Sequence, residues 1–549
     1  MSESGKNASK RRPGGGDERE YERLLQGDDG APTPLTFSPT GVPNLDTILG
    51  NGIPTGALTL VMGAPGSGKT SLASEIAFAA ARNGQRVLVL TALSESTNKL
   101  IEHLSNFAFF DPEVIGRDIH FFSLQQTLPQ GLVETRNAIL RMVRQTQANL
   151  LMMDGFRGIR EIEGDPAAAR QFLYEIGTAL GALRVTTLIT SETDPHDPTF
   201  FPETTTADVI LGLHYRLIGG RQMRAIEVIK ARGVAPLPGL HALTLTSLGS
   251  HVYPQLEERV ALETQADPSI PSVGNVVLDA DEKSRITFGL PQLDALLRGG
   301  IVPTTTTVMA GSLGSGKTLL AMHFALAGLR AGEPVIYLSF REDREQLLRA
   351  AAPFAIGPEL RTALQPGGGL SFLWKPPINL QPDVVAEELL AQVDQVGPCR
   401  LVVDSTAELE RAITRSYDPA RLEDYLAALV LALRRRRVTA LFLKETTRLV
   451  AATLDLAADP LSILAENVLS VQQIVSHGQL HRILSVLKLR YSAHETALRE
   501  FIITPPDGIR VLAPWDSDAA TLTHLAEQQG KAVQSPQQAQ PGDEQQENS

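Results

Sequence analysis

Two kinds of apolar pattern alternate along the chain. Short unbroken runs, LTLVM (58–62), VLVL (87–90) and NLLMMD (149–154), then TTTVM (305–309), VIYL (335–338) and RLVVD (400–404), have the form of strands buried on both faces. Between them lie longer Ala/Leu-rich stretches that read as helices. Strands and helices in alternation predict an α/β fold, a mostly parallel sheet flanked by helices.

The pattern then repeats. TGVPNLDTILGNGIP (40–54) precedes the first set of runs and FGLPQLDALLRGGIV (288–302) the second. Each set carries a glycine-rich loop ending in lysine, and then an apolar run closing on aspartate. Lysine and aspartate stand 85 residues apart in one half, Lys69 to Asp154, and 87 in the other, Lys317 to Asp404. VIKARG (228–233) is answered by VLKLRY (486–491). Four landmarks in one order at matching spacing indicate an internal duplication. Two tandem domains are expected, at 31–257 and 282–514, joined by a Pro- and Gly-punctuated linker at 258–281. The polar ends, 1–30 and the Gln-rich 515–549, carry too little apolar surface to order themselves.

Composition narrows the function. At 549 residues there is enough chain for two full cores. A net charge of −12 does not favour nucleic acid as a partner. The single cysteine, Cys399, excludes an internal disulfide framework and a cysteine-based zinc site, and fits a reducing cytoplasm. No apolar run approaches the roughly 20 residues that span a bilayer, so no membrane partner is expected. The arginines Arg434–Arg437 follow a helical run and are expected to neutralise its C-terminus.

The chemistry sits in the two loops, GAPGSGKT and GSLGSGKT. Both match G-x-x-x-x-G-K-[ST], follow a strand and open a helix, so their backbone N–H groups can curve round phosphates at a helix N-terminus. Gly63, Gly66, Ser67, Gly68, Lys69 and Thr70 form the first candidate ATP site, and Gly311, Gly314, Ser315, Gly316, Lys317 and Thr318 the second. Thr70 with Asp154, and Thr318 with Asp404, are the candidate Mg²⁺ ligands. Glu95 and Glu342, after VLVL and VIYL, stand where a strand delivers its end to a nucleotide, suited to orienting or deprotonating the attacking water. The bland alternative for each is a solvated acid near a helix start. Lys230 with Arg232, and Lys488 with Arg490, place two cations on one strand face. Solvated surface is the bland reading, but recurrence in both halves favours stabilising a γ-phosphate, on a neighbouring subunit.

Together these residues resemble the KaiC family of the RecA-like superfamily. The likeness covers both halves, about 480 residues, and includes the entry motif G-[VL]-P-x-L-D, both loops, both K-x-R strands and the segment KLRYSAHETALREF (488–501). The resemblance implies tandem RecA-like P-loop NTPase domains in a double-ring homohexamer, with ATP and Mg²⁺ between subunits and a signalling protein as partner. Two departures stand out. The family's tandem glutamates are reduced to Glu95 after Ser94 and to Glu342 after Arg341. The adjacent serine and threonine phosphorylated in the family's clock members fall on Ser462 and Ile463, leaving Ser462 as the candidate acceptor. Three readings follow: a regulatory ATPase with Ser/Thr autokinase activity in its second domain, an ATP-gated scaffold with little turnover, and a DNA-dependent motor.

Overall fold

The computed structural model of the chain describes residues 34–92, 96–197, 202–218, 221–266, 285–416, 418–446, 459–476, 478–495 and 497–514. The expected disordered ends and most of the expected linker lie outside them. A short antiparallel ribbon, β1 (Phe37–Ser38) with β2 (Ile53–Pro54), precedes the first sheet. That sheet contains β3 (Leu58–Gly63), β4 (Val87–Thr91), β5 (Ile119–Ser123), β6 (Leu150–Asp154), β7 (Thr186–Ser191), β8 (Val209–Ile218), β9 (Arg221–Ala231), β10 (His241–Thr246) and β11 (Gly249–Tyr253). The second contains β12 (Thr306–Gly311), β13 (Val335–Ser339), β14 (Leu370–Trp374), β15 (Arg400–Asp404), β16 (Thr439–Glu445), β17 (Asn467–Ser476), β18 (Gln479–Leu489), β19 (Arg499–Thr504) and β20 (Gly508–Pro514).

The first sheet runs β11-β10-β9-β8-β3-β7-β6-β4-β5, and the second, read from its β20 edge, has the same order strand for strand. In each, six strands are parallel and the last three return as antiparallel hairpins. The apolar runs are what this arrangement requires. Every residue of β3, β4, β6 and β7 is buried, because helices cover both faces. One core per face results, with Val61, Val89 and Met152 on one side of the first sheet and Leu60, Leu90 and Met153 on the other. These are two tandem RecA-like domains.

Beyond β11 the chain continues as a helix, Leu256–Ala266, into the stretch read as linker. Its Leu256 and Val260, four residues apart on one face, are buried in the second sheet's core, each contributing about 1.5–3 kcal/mol. Arg421 binds Glu257 at its start (2.5 and 2.7 Å) and Asp383 of the second domain (3.0 and 2.9 Å). Arg435, in the last turn of the helix Leu422–Arg435, donates to Thr264 (2.7 Å), and Arg436 just past it to Asp394 (2.7 Å). Among the described residues no helix is long and apolar enough to cross a membrane.

Candidate nucleotide sites

Both glycine-rich loops leave the C-terminal ends of the central strands, β3 and β12, and feed the helices Lys69–Arg82 and Lys317–Arg330. Backbone approach dictates their first glycines. A Cβ on Gly63 would lie 2.4 Å from the Leu213 carbonyl oxygen, and one on Gly311 2.0 Å from that of Val471. Gly68 and Gly316, which cap the helices, have φ of +105° and +100°, conformations open to glycine. Gly66 and Gly314 lie between, and the Gly314 carbonyl accepts from Gln473 Nε2 at 2.7 Å.

Each lysine curls back over its own loop. Lys69 Nζ donates to the Ala64 carbonyl (3.1 Å), and Lys317 Nζ to those of Gly311 and Ser312 (2.9 and 2.7 Å). Burial pushes both ammonium pKa values down, opposed by Glu192 and Asp154 at Lys69 and by Glu445 and Asp404 at Lys317. The hydroxyls of Ser67, Ser312 and Ser315 are buried without a hydrogen-bond partner. Such groups cost free energy when left unpaired, and these sit in the cradle where a phosphate would supply acceptors.

Thr70 Oγ1 donates to Asp154 (2.9 Å), and Thr318 Oγ1 to Asp404 (3.0 Å). The second donor to each aspartate differs. It is Thr190 in the first domain (2.7 Å) and Tyr337 in the second (2.9 Å). Asp404 is raised in pKa by burial, despite the hydrogen bonds from Tyr337 and Thr318 and the charge of Lys317. A hydroxyl and a carboxylate beside a phosphate cradle are hard oxygen donors that suit Mg²⁺.

The second loop opens on a cavity of about 370 Å³ that also takes in Glu342, Arg341 and Glu445. Glu342 has its pKa raised, first by burial and then by Asp404, and its Oε2 is buried and unpartnered. Arg341 does not point at it. Its guanidinium is held by Glu408 (2.5 Å) and by Glu445 (2.5 and 3.1 Å). Glu408 and Glu445 escaped the sequence reading. Glu445 ends the strand beside β12, the kind of place where ligand groups collect in such sheets, and that signal was available. Glu408 gave none. A larger cavity of about 750 Å³ between the two domains is lined in part by Glu408 and takes no residue from either loop. Glu95 and Ser94 lie outside the described residues.

The cation pairs stand elsewhere. Lys230 pairs with Ile210, which pairs with Leu60, three residues before Gly63. Lys488 pairs with Val468, which pairs with Val308, three residues before Gly311. At about 3.3 Å per residue and 4.8 Å per strand, each lysine backbone is roughly 14 Å from its own loop glycine. A lysine side chain reaches only about 6 Å. Lys230 Nζ donates to the Thr204 and Thr205 carbonyls (both 3.4 Å), and Lys488 Nζ to those of Ser462, Ile463 and Ala465 (3.4, 3.3 and 2.7 Å). Arg232 and Arg490 lie just past the strand ends and are exposed, Arg232 beside Asp208 at 3.2 Å. Ser462 belongs to the short helix Pro460–Leu464 at this same end of the sheet, is 5 % exposed, and donates to Asp459 Oδ2 at 2.6 Å. Ile463 beside it is exposed.

A family model described as an ATPase of the KaiC type matches residues 38–257 and again 286–515. The circadian clock oscillator protein KaiC of Picosynechococcus is 24 % identical over 476 residues, which covers 85 % of this chain and 87 % of that protein. KaiC 1 of Synechocystis gives the same identity and coverage, and KaiC of Parasynechococcus marenigrum is 23 % identical over 480 residues, 85 % of this chain and 88 % of that protein.

Proposed function

The chain belongs to the KaiC ATPase family, and from that premise we propose a double-ring homohexamer in which each ATP is turned over only when a neighbouring subunit presents its Lys-x-Arg pair. One observation carries this reading. Each pair lies at the sheet end opposite its own loop, beyond side-chain reach, in the same register in both domains. A cation that cannot serve its own site, repeated with its register, suits a site made between subunits.

In each site the loop N–H groups, the lysine and the buried serine hydroxyl hold the phosphates. Thr70 with Asp154, and Thr318 with Asp404, would hold Mg²⁺, which would neutralise phosphate charge. Glu342 in the second site takes the proton of the attacking water, and Glu95 has that role in the first. Lys230 with Arg232, or Lys488 with Arg490, stabilises charge on the γ-phosphate from the adjacent subunit, an effect worth roughly 10³–10⁵ in rate for such fingers. Sedimentation with and without Mg-ATP tests the assembly. A nucleotide-dependent hexamer whose turnover falls in Lys69→Ala or Lys317→Ala is expected. A monomer with unchanged turnover in both variants contradicts the proposal.

Autophosphorylation of the second domain is a second reading, favoured by Ser462 itself. Its hydroxyl already touches a carboxylate able to accept its proton, Asp459, and it neighbours Lys488 on the side where another subunit's nucleotide would arrive. The short helix must release Ser462 for transfer. Intact mass after incubation with Mg-ATP should show one added phosphoryl group, absent in Ser462→Ala. No added mass, with phosphate still released, leaves an ATP-driven scaffold that times the release of a signalling protein. Action in the cytoplasm belongs to the same proposal, supported by the single cysteine, Cys399, which has no partner in the chain for a disulfide. Nothing favours a DNA-dependent motor, and turnover indifferent to single-stranded DNA is expected.

A further inference from the structure

The loop after β7 carries His196 onto a histidine–glutamate pair in the hairpin of β8 and β9. His214 Nε2 lies 2.8 Å from Glu227 Oε1, and His196 Nε2 lies 3.8 Å from the same oxygen. The two imidazole rings stack with centroids 4.8 Å apart. Among the described residues, no other group of three or more histidine, cysteine or carboxylate side chains brings its ligand atoms together this way. None of the three residues touches the phosphate chemistry described above.

We propose that His196, His214 and Glu227 form a binding site for a divalent transition-metal ion of the zinc class. Two imidazole nitrogens and one carboxylate oxygen are a His₂Glu donor set, suited to Zn²⁺, Co²⁺ or Ni²⁺ and poorly suited to Mg²⁺. Ligands 2.0–2.1 Å from a tetrahedral ion stand about 3.3 Å from one another. The two separations from Glu227 Oε1, 2.8 and 3.8 Å, bracket that value, and all three donor atoms lie within 4.8 Å of one another. His196, with its side chain 60 % exposed, is free to make the small rotation needed, while His214 at 9 % and Glu227 at 19 % form the fixed floor. Three protein ligands leave a fourth position for water.

The duplication supplies the comparison. Leu213 aligns with Gly63 and Val471 with Gly311, so His214 corresponds to Gln472. Glu227 pairs with Gly212 and Ser485 with Ser470, so Glu227 corresponds to Ser485. The same hairpin is therefore built in the second domain with glutamine and serine at these two positions, and the fold does not require the histidine and glutamate there. Gly212 matters too. A Cβ there would lie 3.1 Å from Pro195 and 3.2 Å from Glu227 Cγ, so glycine leaves room for the loop to close over the carboxylate. That loop also bears Glu192, whose charge is felt by Lys69. A metal on His196 would therefore fix a segment that borders the first nucleotide site.

Equilibrium dialysis of the tag-free, metal-stripped full-length chain against Zn²⁺, in excess Mg²⁺ to occupy the threonine–aspartate sites, tests this. One Zn²⁺ per chain is expected, with Co²⁺ giving the absorption of a tetrahedral site. Retention should weaken at least about tenfold in His196→Ala, an exposed position, and be lost in His214→Gln and Glu227→Ser, which install the second domain's own residues. No retained Zn²⁺, or retention equal in wild type and all three variants, overturns the proposal.

Discussion

Arg341→Ala probes the feature that most separates the second nucleotide site from the family pattern. Arg341 bonds Glu408 at 2.5 Å and Glu445 at 2.5 and 3.1 Å. Glu408 has a side chain only 2 % exposed, so its lost partner is not replaced by water. It keeps two other donors, Ser405 Oγ and Arg411, both at 2.7 Å. A hydrogen bond to a charged group contributes about 1.5–3 kcal/mol, and with two of three donors retained the low end applies. The Glu445 contact joins side chains 42 % and 28 % exposed, and solvent screening holds it to about 0.5 kcal/mol. The sum, about 2 kcal/mol, should lower the unfolding temperature of the nucleotide-free second domain by roughly 4–8 °C. Arg341→Glu, which restores the tandem carboxylates, should be less stable still, since it adds a charge beside Glu408 and Glu445. The assay is calorimetric unfolding, with ATP affinity measured in a Lys69→Ala background so that the second site reports. ATP should bind several-fold more weakly without the cation. Unchanged unfolding and unchanged affinity in Arg341→Ala would refute the reasoning.

Arg421→Ala strips the buried Asp383 of its cation and frees Glu257, at a cost of about 3–5 kcal/mol; calorimetry should then resolve two separate transitions for the two halves, and one undisturbed transition would count against the coupling. Gly311→Ala forces a Cβ to 2.0 Å from the Val471 carbonyl and should abolish ATP binding at the second site, whereas Gly332→Ala, with open space around it and only a positive φ to strain, should cost about 1 kcal/mol and leave binding intact. Asp404 has a raised folded pKa, so its contribution to stability is full below the ordinary carboxylate range and is lost as pH rises through the raised value. Denaturant unfolding without nucleotide should therefore show wild type losing stability relative to Asp404→Asn across that window, and a pH-independent difference would exclude the burial effect.

The mostly parallel sheets were legible because strands buried on both faces leave unbroken apolar runs, and because the duplication let each half check the other; the order of the strands within each sheet was not. Thr70 with Asp154 and Thr318 with Asp404 were legible for the same reason, as strand ends at a repeated spacing. The partners of Arg341 were not. Glu408 and Glu445 lie 67 and 104 residues away in sequence, and only the packing of β13, β15 and β16 brings them together. Leu256 and Val260 carry a helical spacing, yet the stretch read as linker begins at 258 and takes in Val260, and the surface they cover belongs to the other domain. The cation pairs were visible as a motif, but their placement away from their own loops depends on the antiparallel return of β9 and β18, which no local pattern reveals. The histidine–glutamate group was invisible for a further reason: its members are on two strands and a loop, at no metal-binding spacing.

The central claim is that each site is completed by a neighbour, and a mixing experiment tests it most directly. Lys69→Ala subunits lack a working first loop and Arg232→Ala subunits lack the finger, so each alone should be nearly inactive in the first ring. A Lys317→Ala background silences the second. Mixed before assembly, the two should regain turnover, because a Lys69→Ala subunit can present its intact Arg232 to the intact loop of its neighbour. Activity that rises to a maximum at intermediate ratios is the predicted result. Activity that never exceeds the weighted sum of the two variants would contradict the account.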